Sequence, residues 1–305
     1  MAFDMNVREP YSHVVATGNF DGLHLGHHRI FDALRAEAKT GHLKQVAVTY
    51  EPHTRHYLDA PGHPPLLTPL AEKRDLFRTA GIPLETLDFD KSLASLAGID
   101  FVRDVILKKF GAAVWVFGQN HRFGAGGKGD LDEVRKAFPK LKIIRAESLL
   151  IGDDVVSSSR VREALDVGDV ALAKTLLGRC YSLAGEVIHG EARGRTLGFP
   201  TANIQVAEFK MLPQFGVYAG AACFDGEKHL AVVNIGRRPT FNGVAPSVEI
   251  HLPGWSGDLY GKTLEMKLNL SLRGEMRFAG LQELVAQLTC DVQRASSTIQ
   301  LEECT

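Results

Sequence analysis

The chain has 305 residues, about twice the ~150 of a typical domain, which favours two domains over one. Thirty-five Lys+Arg against 36 Asp+Glu leave a net charge of −1, too little positive field for non-specific nucleic-acid or anionic-membrane binding, so any anionic ligand must be held locally. A hydrophobic fraction of 45% and a charged fraction of 23% exclude a disordered, collagenous or coiled-coil chain.

Apolar runs such as AAVWVFG break within ~10 residues, far short of the ~20 a bilayer span needs. The opening MAFDMNVREP lacks the basic start, apolar stretch and small-residue cleavage site of a signal peptide. The expectation is a cytoplasmic protein that contacts neither membrane nor nucleic acid. Cys180, Cys223, Cys290 and Cys304 are scattered with no C-x-x-C pair, so they read as reduced thiols and not as a disulfide framework or zinc site.

Up to about residue 178, short apolar runs alternate with longer helical patterns. SHVVAT, QVAVTY, LETLDF, AAVWVFG and LKIIRA read as strands. Between them HHRIFDALRAEAK, LAEKRDLFRTA and LAGIDFVRDVILKKF place apolar residues at three- and four-residue spacing, as helices do. Repeated βα units predict a parallel sheet covered on both faces. After Gly178 the rhythm changes to YSLAGEVI, GVYAGAACF, HLAVVNIG, SVEIHL and KTLEMKLNL, separated by Gly, Pro, Asp and Asn. That predicts a mostly antiparallel barrel or sandwich, closed by a helix in LQELVAQLTCDVQRA. The domains are expected at 1–178 and 179–305.

The segment TGNFDGLHLGHHRIFDAL leaves the first strand and opens a helix. Gly18 and Gly22 permit a tight turn, and His24 and His27 flank a Gly26 that leaves room for a bulky anion at the helix N-terminus. Two imidazoles and free N–H groups are donors suited to the charge that gathers on a phosphoryl transition state. Alternatively the two histidines are loop or capping residues; a metal reading lacks a carboxylate or Cys at ligand spacing. The motif G-x-F-D-x-x-H-x-G-H is similar to the nucleotidyltransferase signature of the bacterial bifunctional riboflavin kinase/FMN adenylyltransferase (FAD synthetase) family. EPHTRHYL, PPLLTPLAEKRDLFRTAGI, VFGQNHRFGAGGKGD and VSSSRVREALDVGDVALAKTLLGRCY resemble further segments in that family's order. The resemblance covers nearly the whole chain.

VVSSSRVREAL sets hydroxyls and arginines at a helix start, a second anion clamp, or else a serine cap with solvated arginines. Ser159 stands where the family usually has threonine, and Arg162 falls on its arginine. The resemblance implies ATP or FMN contacts at Gly18, Phe20, Asp21, Asn120, Ser158, Ser159 and Arg162. His121 stands where Phe is common, and Thr54 where proline is frequent. Gly124–Gly129 is a literal G-x-G-x-x-G, but it does not directly follow a strand and comes late in the domain, so it reads as a mobile, cationic flap over phosphates and not as a dinucleotide fingerprint.

In the second half HGEARGRTLGFPTANI joins a glycine-punctuated basic loop to Thr201 and Asn203. Their hydroxyl and amide oxygens are hard ligands suited to Mg²⁺ beside ATP; alternatively Pro200–Asn203 is only a turn. No Walker A or protein-kinase motif set occurs. G-R-x-L-G-F-P-T-A-N resembles the flavokinase signature, followed in order by NIGRRPTF, SVEIHL, DLYGK and LRGEMRF. The resemblance implies Mg²⁺ and ATP contacts at Thr201 and Asn203, the catalytic carboxylate at Glu249, and ATP or flavin contacts at Gly190, Arg195, Gly198 and Arg273, with Phe278 beside the flavin. It implies a nucleotidyltransferase-type Rossmann-like α/β domain followed by a β-barrel domain with a C-terminal helix. ATP, riboflavin, FMN and FAD are the implied small molecules, and the protein is expected to be a monomer or weak homo-oligomer. The competing readings are a kinase with an inactive first module, a flavin- or nucleotide-binding regulator without catalysis, and a nucleotidyltransferase for another phosphorylated acceptor such as phosphopantetheine.

Overall fold

A computed structural model describes residues 11–58, 64–190, 194, 197–240 and 243–304. They fall into two compact units, one ending at Val156 and the next beginning at Ser157.

The first unit is built on a parallel five-stranded sheet in the order β3-β2-β1-β4-β5: β1 His13–Thr17, β2 Lys44–Glu51, β3 Leu84–Asp88, β4 Ala112–Gly118 and β5 Lys142–Ala146. Every residue of β1 is buried, as expected of a central strand with both faces covered. One face packs Val15, Val48, Trp115 and Phe117 against Phe101, Val105 and Ile106. The other packs Val14, Ala16 and Val116 against Phe31, Leu34 and Phe77. Phe31 and Leu34 come from α1 (Leu25–Gly41). Short helices α2 (Thr54–Leu58), α4 (Lys91–Ala94) and α5 (Gly98–Asp100) join longer ones, α3 (Leu70–Thr79) and α6 (Leu131–Ala137). Phe101–Lys109 winds as a π-helix, where the apolar spacing of the sequence predicts only helix. A small hairpin, β6 (Leu150–Ile151) with β7 (Asp154–Val155), ends the unit.

The strand order reverses between β1 and β4, and in such open sheets ligands sit beyond the carboxyl ends of the strands at the reversal. Both the His24–His27 loop and the turn bearing Asn120 leave the sheet there, after β1 and β4 respectively.

The second unit is a closed barrel in the order β10-β11-β12-β9-β8-β13, which settles the choice between barrel and sandwich. Its strands are β8 Tyr181–Ile188, β9 Thr201–Val206, β10 Gly216–Phe224, β11 Glu227–Thr240, β12 Gly243–His251 and β13 Thr263–Gly274. Val233, Ile235, Val248 and Ile250 are fully or almost fully buried. Helix α9 (Leu281–Thr298) covers a patch made by Val217, Ala219, Val232 and Leu272 through Ala295 and Val292. Helices α7 (Ser158–Asp166) and α8 (Val170–Leu177) pack with this unit: the Gln214 amide donates to the Leu165 carbonyl (2.8 Å) and Lys174 Nζ to Asn269 Oδ1 (2.7 Å). Among the described residues no helix is long and apolar enough to cross a membrane.

Candidate active sites

In the first unit the turn after β1 is tight enough to force Phe20, Gly22 and Leu23 to positive φ (48°, 84° and 41°), a region that only Gly adopts cheaply. Burial holds it there. The Phe20 ring is 1% exposed and packs 5.4–5.5 Å from Phe31 and Phe77, with its edge toward His27 at 5.4 Å. Gly18 and Phe20, both named from the sequence as ligand contacts, therefore shape the loop from beneath, with the Gly18 amide bonded to the Val48 carbonyl (3.1 Å). Asp21 has a similar place: its buried carboxylate accepts from the Leu67 and Thr68 amides (3.2 and 3.0 Å) and the Thr68 hydroxyl (3.3 Å).

That scaffold presents two imidazoles. His24 is the N-cap residue of α1, and its ring stacks on that of His27 with centroids 3.7 Å apart. The residue between them has no space for a side chain. A Cβ on Gly26 would come within 2.9 Å of the Val156 carbonyl oxygen and 3.0 Å of the His24 ring. The stacked rings thus lie beside the opening turn of α1, where the His27 amide bonds the His24 carbonyl (2.8 Å).

Three polar residues, none of them among the site residues expected from the sequence, hold this loop. Asn19 exchanges hydrogen bonds with Thr54: its Nδ2 donates to Oγ1 (2.8 Å) and its Oδ1 accepts from the Thr54 amide (3.4 Å). Lys73, 3% exposed, donates to the Asn19 carbonyl (2.7 Å) and Thr49 Oγ1 (3.3 Å). Burial pushes its ammonium pKa down, and Asp21 and Glu51 oppose the shift. A signal existed: Leu70, Lys73 and Phe77 share one helical face, so a lysine among core positions marks a buried cation that needs partners.

Asn120 is exposed in the turn after β4, on an open cleft of about 840 Å³ that also takes in Gln119, Arg122, Arg135 and Arg145. His121 tucks inward. Its ring stacks on Phe117 (5.0 Å) and meets Trp115 edge-on (5.9 Å), and its Nε2 lies 3.2 Å from Thr17 Oγ1, which also accepts from Trp115 Nε1 (2.9 Å). Burial, with Arg145 adding, holds the imidazole down at about 4, so it is neutral at physiological pH and serves as the aromatic ring it replaces. The glycine-rich segment after it is docked: the Ala125 amide bonds the Leu96 carbonyl (2.7 Å) and the Gly129 amide the Phe123 carbonyl (2.8 Å).

In the second unit Ser158 and Ser159 open α7, capped by Ser157 accepting from the Arg160 amide (3.2 Å), and Arg162 is buried on the same helix.

The barrel site is a matter of register. Ile188 pairs with Asn203, Asn203 with Glu249, Glu249 with Asn234, Asn234 with Val217 and Val217 with Arg273. Residues directly opposite across strands point to the same face, so Asn203, Glu249 and Asn234 stand side by side. Thr201 joins them, two residues along β9. The PTAN segment, which the sequence left open between turn and ligand set, starts this strand. Asn203 is 9% exposed, and its amide lies against the Gly190 backbone so closely that a Cβ there would be 2.3 Å from Nδ2. Gly198 is in a left-handed turn at φ 83°, and His251 Nδ1 sits 2.8 Å from the Pro200 carbonyl oxygen. Arg195 lies outside the described residues. Arg273 is tied down: its Nε donates to Asp291 of α9 (2.9 Å), the Gln287 amide shares that carboxylate (2.9 Å), and the guanidinium lies 5.6 Å over the Phe278 ring.

Among the described residues no group of three or more His, Cys, Asp or Glu gathers for a metal ion. The donors in this row are the Thr201 hydroxyl, the Asn203 and Asn234 amide oxygens and the Glu249 carboxylate. That hard, sparse oxygen set fits Mg²⁺, which keeps most of its ligands as water and phosphate.

Known proteins agree with this division. Residues 7–160 match the FAD synthetase family and residues 177–299 the riboflavin kinase family. The bifunctional riboflavin kinase/FMN adenylyltransferase of Escherichia coli (strain K12) is 36% identical over 91% of this chain and 90% of its own length. The enzyme of that name from Bacillus subtilis (strain 168) is 35% identical over 92% and 91%. A solved structure described as a macrolide-efflux protein from Streptococcus pneumoniae is 30% identical, covers 95% of this chain and 96% of its own, and superposes with a TM-score of 0.86. With both family matches in sequence order and full-length relatives above 30% identity, the chain belongs to the bifunctional riboflavin kinase/FMN adenylyltransferase family.

Proposed function

We propose that this chain makes FAD from riboflavin in two steps, with the kinase in residues 179–305 and the adenylyltransferase in residues 1–178. The kinase transfers the γ-phosphoryl group of ATP to the ribityl 5′-hydroxyl of riboflavin, giving FMN and ADP. The adenylyltransferase joins AMP from a second ATP to the FMN phosphate, giving FAD and pyrophosphate.

The observation that carries the kinase assignment is the pairing of Glu249 with Asn203 across β12 and β9. A primary alcohol must lose a proton as it attacks phosphorus, and Glu249 is the carboxylate on that face that takes it. Thr201 and Asn203 would hold Mg²⁺, which neutralises and orients the ATP phosphates. Gly190 and Gly198 border the nucleotide, Arg195 is assigned to it on its sequence motif alone, and Arg273 with Phe278 borders the flavin.

In the second step the FMN phosphate is already a nucleophile, so the protein aligns it with the α-phosphorus and stabilises the transition-state charge. His24 and His27, stacked at the opening turn of α1, donate to the phosphate oxygens. Asn120 contacts nucleotide or flavin. Gly18, Phe20 and Asp21 fix the loop. Ser158, Ser159 and Arg162 are assigned to the ATP phosphates on their sequence motif and their place at the start of α7.

Incubation with riboflavin, ATP and Mg²⁺, and separately with FMN, ATP and Mg²⁺, followed by chromatography, tests both halves. FMN and FAD are expected from the first mixture and FAD from the second. FMN without FAD overturns the adenylyltransferase assignment, and absence of FMN from the first mixture overturns the kinase.

A further inference from the structure

Polar groups stand on both sides of Glu249 on the outer face of the barrel. Thr201 and Asn203, the pair assigned to Mg²⁺ and ATP, lie on the β9 side. On the β11 side the residue directly opposite Glu249 is Asn234, which the phosphate chemistry leaves unused. Val233 and Ile235, its neighbours in sequence, are fully buried, whereas Asn234 is exposed, so its amide points outward on the same face as the carboxylate.

The next pair along these strands is Gly236 opposite Ser247. Ser247 is 7% exposed, and by alternation along β12 its hydroxyl shares the face of Glu249, two residues on. Gly236 leaves a gap there: a Cβ on it would lie 3.6 Å from Asn234 Nδ2 and 3.2 Å from Glu275 Oε1. Asn234, Ser247 and Glu275 therefore border a notch floored by bare backbone. Among the described residues the side chains of Asn234 and Ser247 make no hydrogen bond. A hydroxyl buried to that extent is normally paired, and a ligand in the notch would pair it.

The order of the row decides which part of a ligand lies there. From β9 to β13 it runs Asn203, Glu249, Asn234, Val217, Arg273. The phosphoryl donor belongs at the Asn203 end, and Arg273, held by Asp291 and lying over Phe278, marks the flavin end. Riboflavin laid along the row with its 5′-hydroxyl at Glu249 and its ring toward Arg273 must cross Asn234 with its ribityl chain, one inter-strand step of ~4.8 Å from the base. The secondary hydroxyls of that chain both donate and accept, as do an amide and a serine hydroxyl. Bare backbone at Gly236 lets the chain come close.

We propose that Asn234 and Ser247, on either side of Gly236, form the subsite that recognises the polyhydroxylated chain of the flavin substrate. By binding the secondary hydroxyls they hold the terminal hydroxyl against Glu249 and select a polyol chain over a plain alkyl one. This inference rests on the kinase assignment made above.

The test compares phosphorylation of two substrates by the full-length chain and by Asn234→Ala. One is riboflavin. The other is an analogue in which an ω-hydroxypentyl group replaces the ribityl chain, keeping the ring and terminal hydroxyl and lacking the secondary hydroxyls. In Asn234→Ala, kcat/KM for riboflavin should fall ~3–10-fold, the worth of one lost hydrogen bond, chiefly through KM. The analogue should show the same kcat/KM with both proteins or, if it is not turned over, the same competitive inhibition of FMN formation. Ser247→Ala should repeat that pattern and decides the matter if Asn234→Ala does not fold. A penalty equal for riboflavin and the analogue, or no penalty for either, overturns the subsite. Absence of FMN from the unsubstituted chain instead overturns the kinase assignment on which it rests.

Discussion

The two candidate sites are held in place by opposite means. In the first unit a loop with non-glycine residues at positive φ is pinned from below by buried polar groups: Asp21 on the 67–68 backbone, Lys73 on the Asn19 carbonyl, and Asn19 on Thr54. In the barrel the candidate groups sit on strands, and the ladder pairing Asn203 with Glu249 and Glu249 with Asn234 sets their spacing. A loop site owes its geometry to many single hydrogen bonds and loses it in pieces. A register site owes its geometry to the sheet and is lost through direct substitution or a local clash.

The largest expected effects separate the two chemistries. Glu249→Ala should slow FMN formation from riboflavin by ~10²–10⁴-fold, the usual worth of a general base, and leave FAD formation from FMN unchanged. His27→Ala should do the reverse, slowing AMP transfer by ~10²-fold or more, as loss of a preorganised donor does. Chromatographic assay of both reactions in both variants breaks the comparison if either substitution affects the two steps equally.

Next in size is the pH response of His121. Burial holds its pKa down at about 4 in the folded chain against an ordinary 6.5, so between those values the unfolded chain binds more protons. Stability therefore falls as pH drops through that window, by up to ~3 kcal/mol for this group. His121→Phe should remove that contribution. Melting curves of the two proteins should converge, or cross in favour of the variant, as pH falls from 7 toward 4; a constant gap would mean the ring is not held neutral.

Gly190→Ala probes the barrel through a clash and not through chemistry. A methyl group 2.3 Å from Asn203 Nδ2 must push the amide aside. Overpacking of this kind costs ~1–3 kcal/mol. Kinase kcat should fall at least ~10-fold if that displacement costs about 1.4 kcal/mol in the transition state, with AMP transfer intact. The smallest effect is expected from Thr54→Ala, which removes one hydroxyl from the Asn19 pair at ~1 kcal/mol and should lower AMP transfer modestly without touching the kinase.

How much of this was legible in the sequence follows the same divide. The five parallel strands and α1 and α3 stand where apolar periodicity puts them, because both faces of that sheet are buried. H-x-G-H is legible as a site because its residues are adjacent in sequence. β9 escapes as a strand because TANIQV mixes an amide and a hydroxyl into a short run after Gly and Pro. The row joining Asn203, Glu249 and Asn234 spans three strands, and pairing register over such separations is not written in any one segment. The burial of Phe20 and Asp21 beneath the loop is not legible for a related reason: a motif marks a residue without saying how deeply the fold places it.

The closed barrel has a further consequence. A ladder that returns to its first strand leaves no row of unpaired amides and carbonyls for another chain to extend. The parallel sheet ends in β3 and β5, five residues each, and carries Glu85 and Asp88 on one edge and Lys142 and Arg145 on the other. Short, charged edges deter strand addition only while the sheet is whole. When the protein is heated or crowded, self-association should therefore begin from the nucleotidyl-transfer half, and its first intermolecular contacts should be mapped to those two strands.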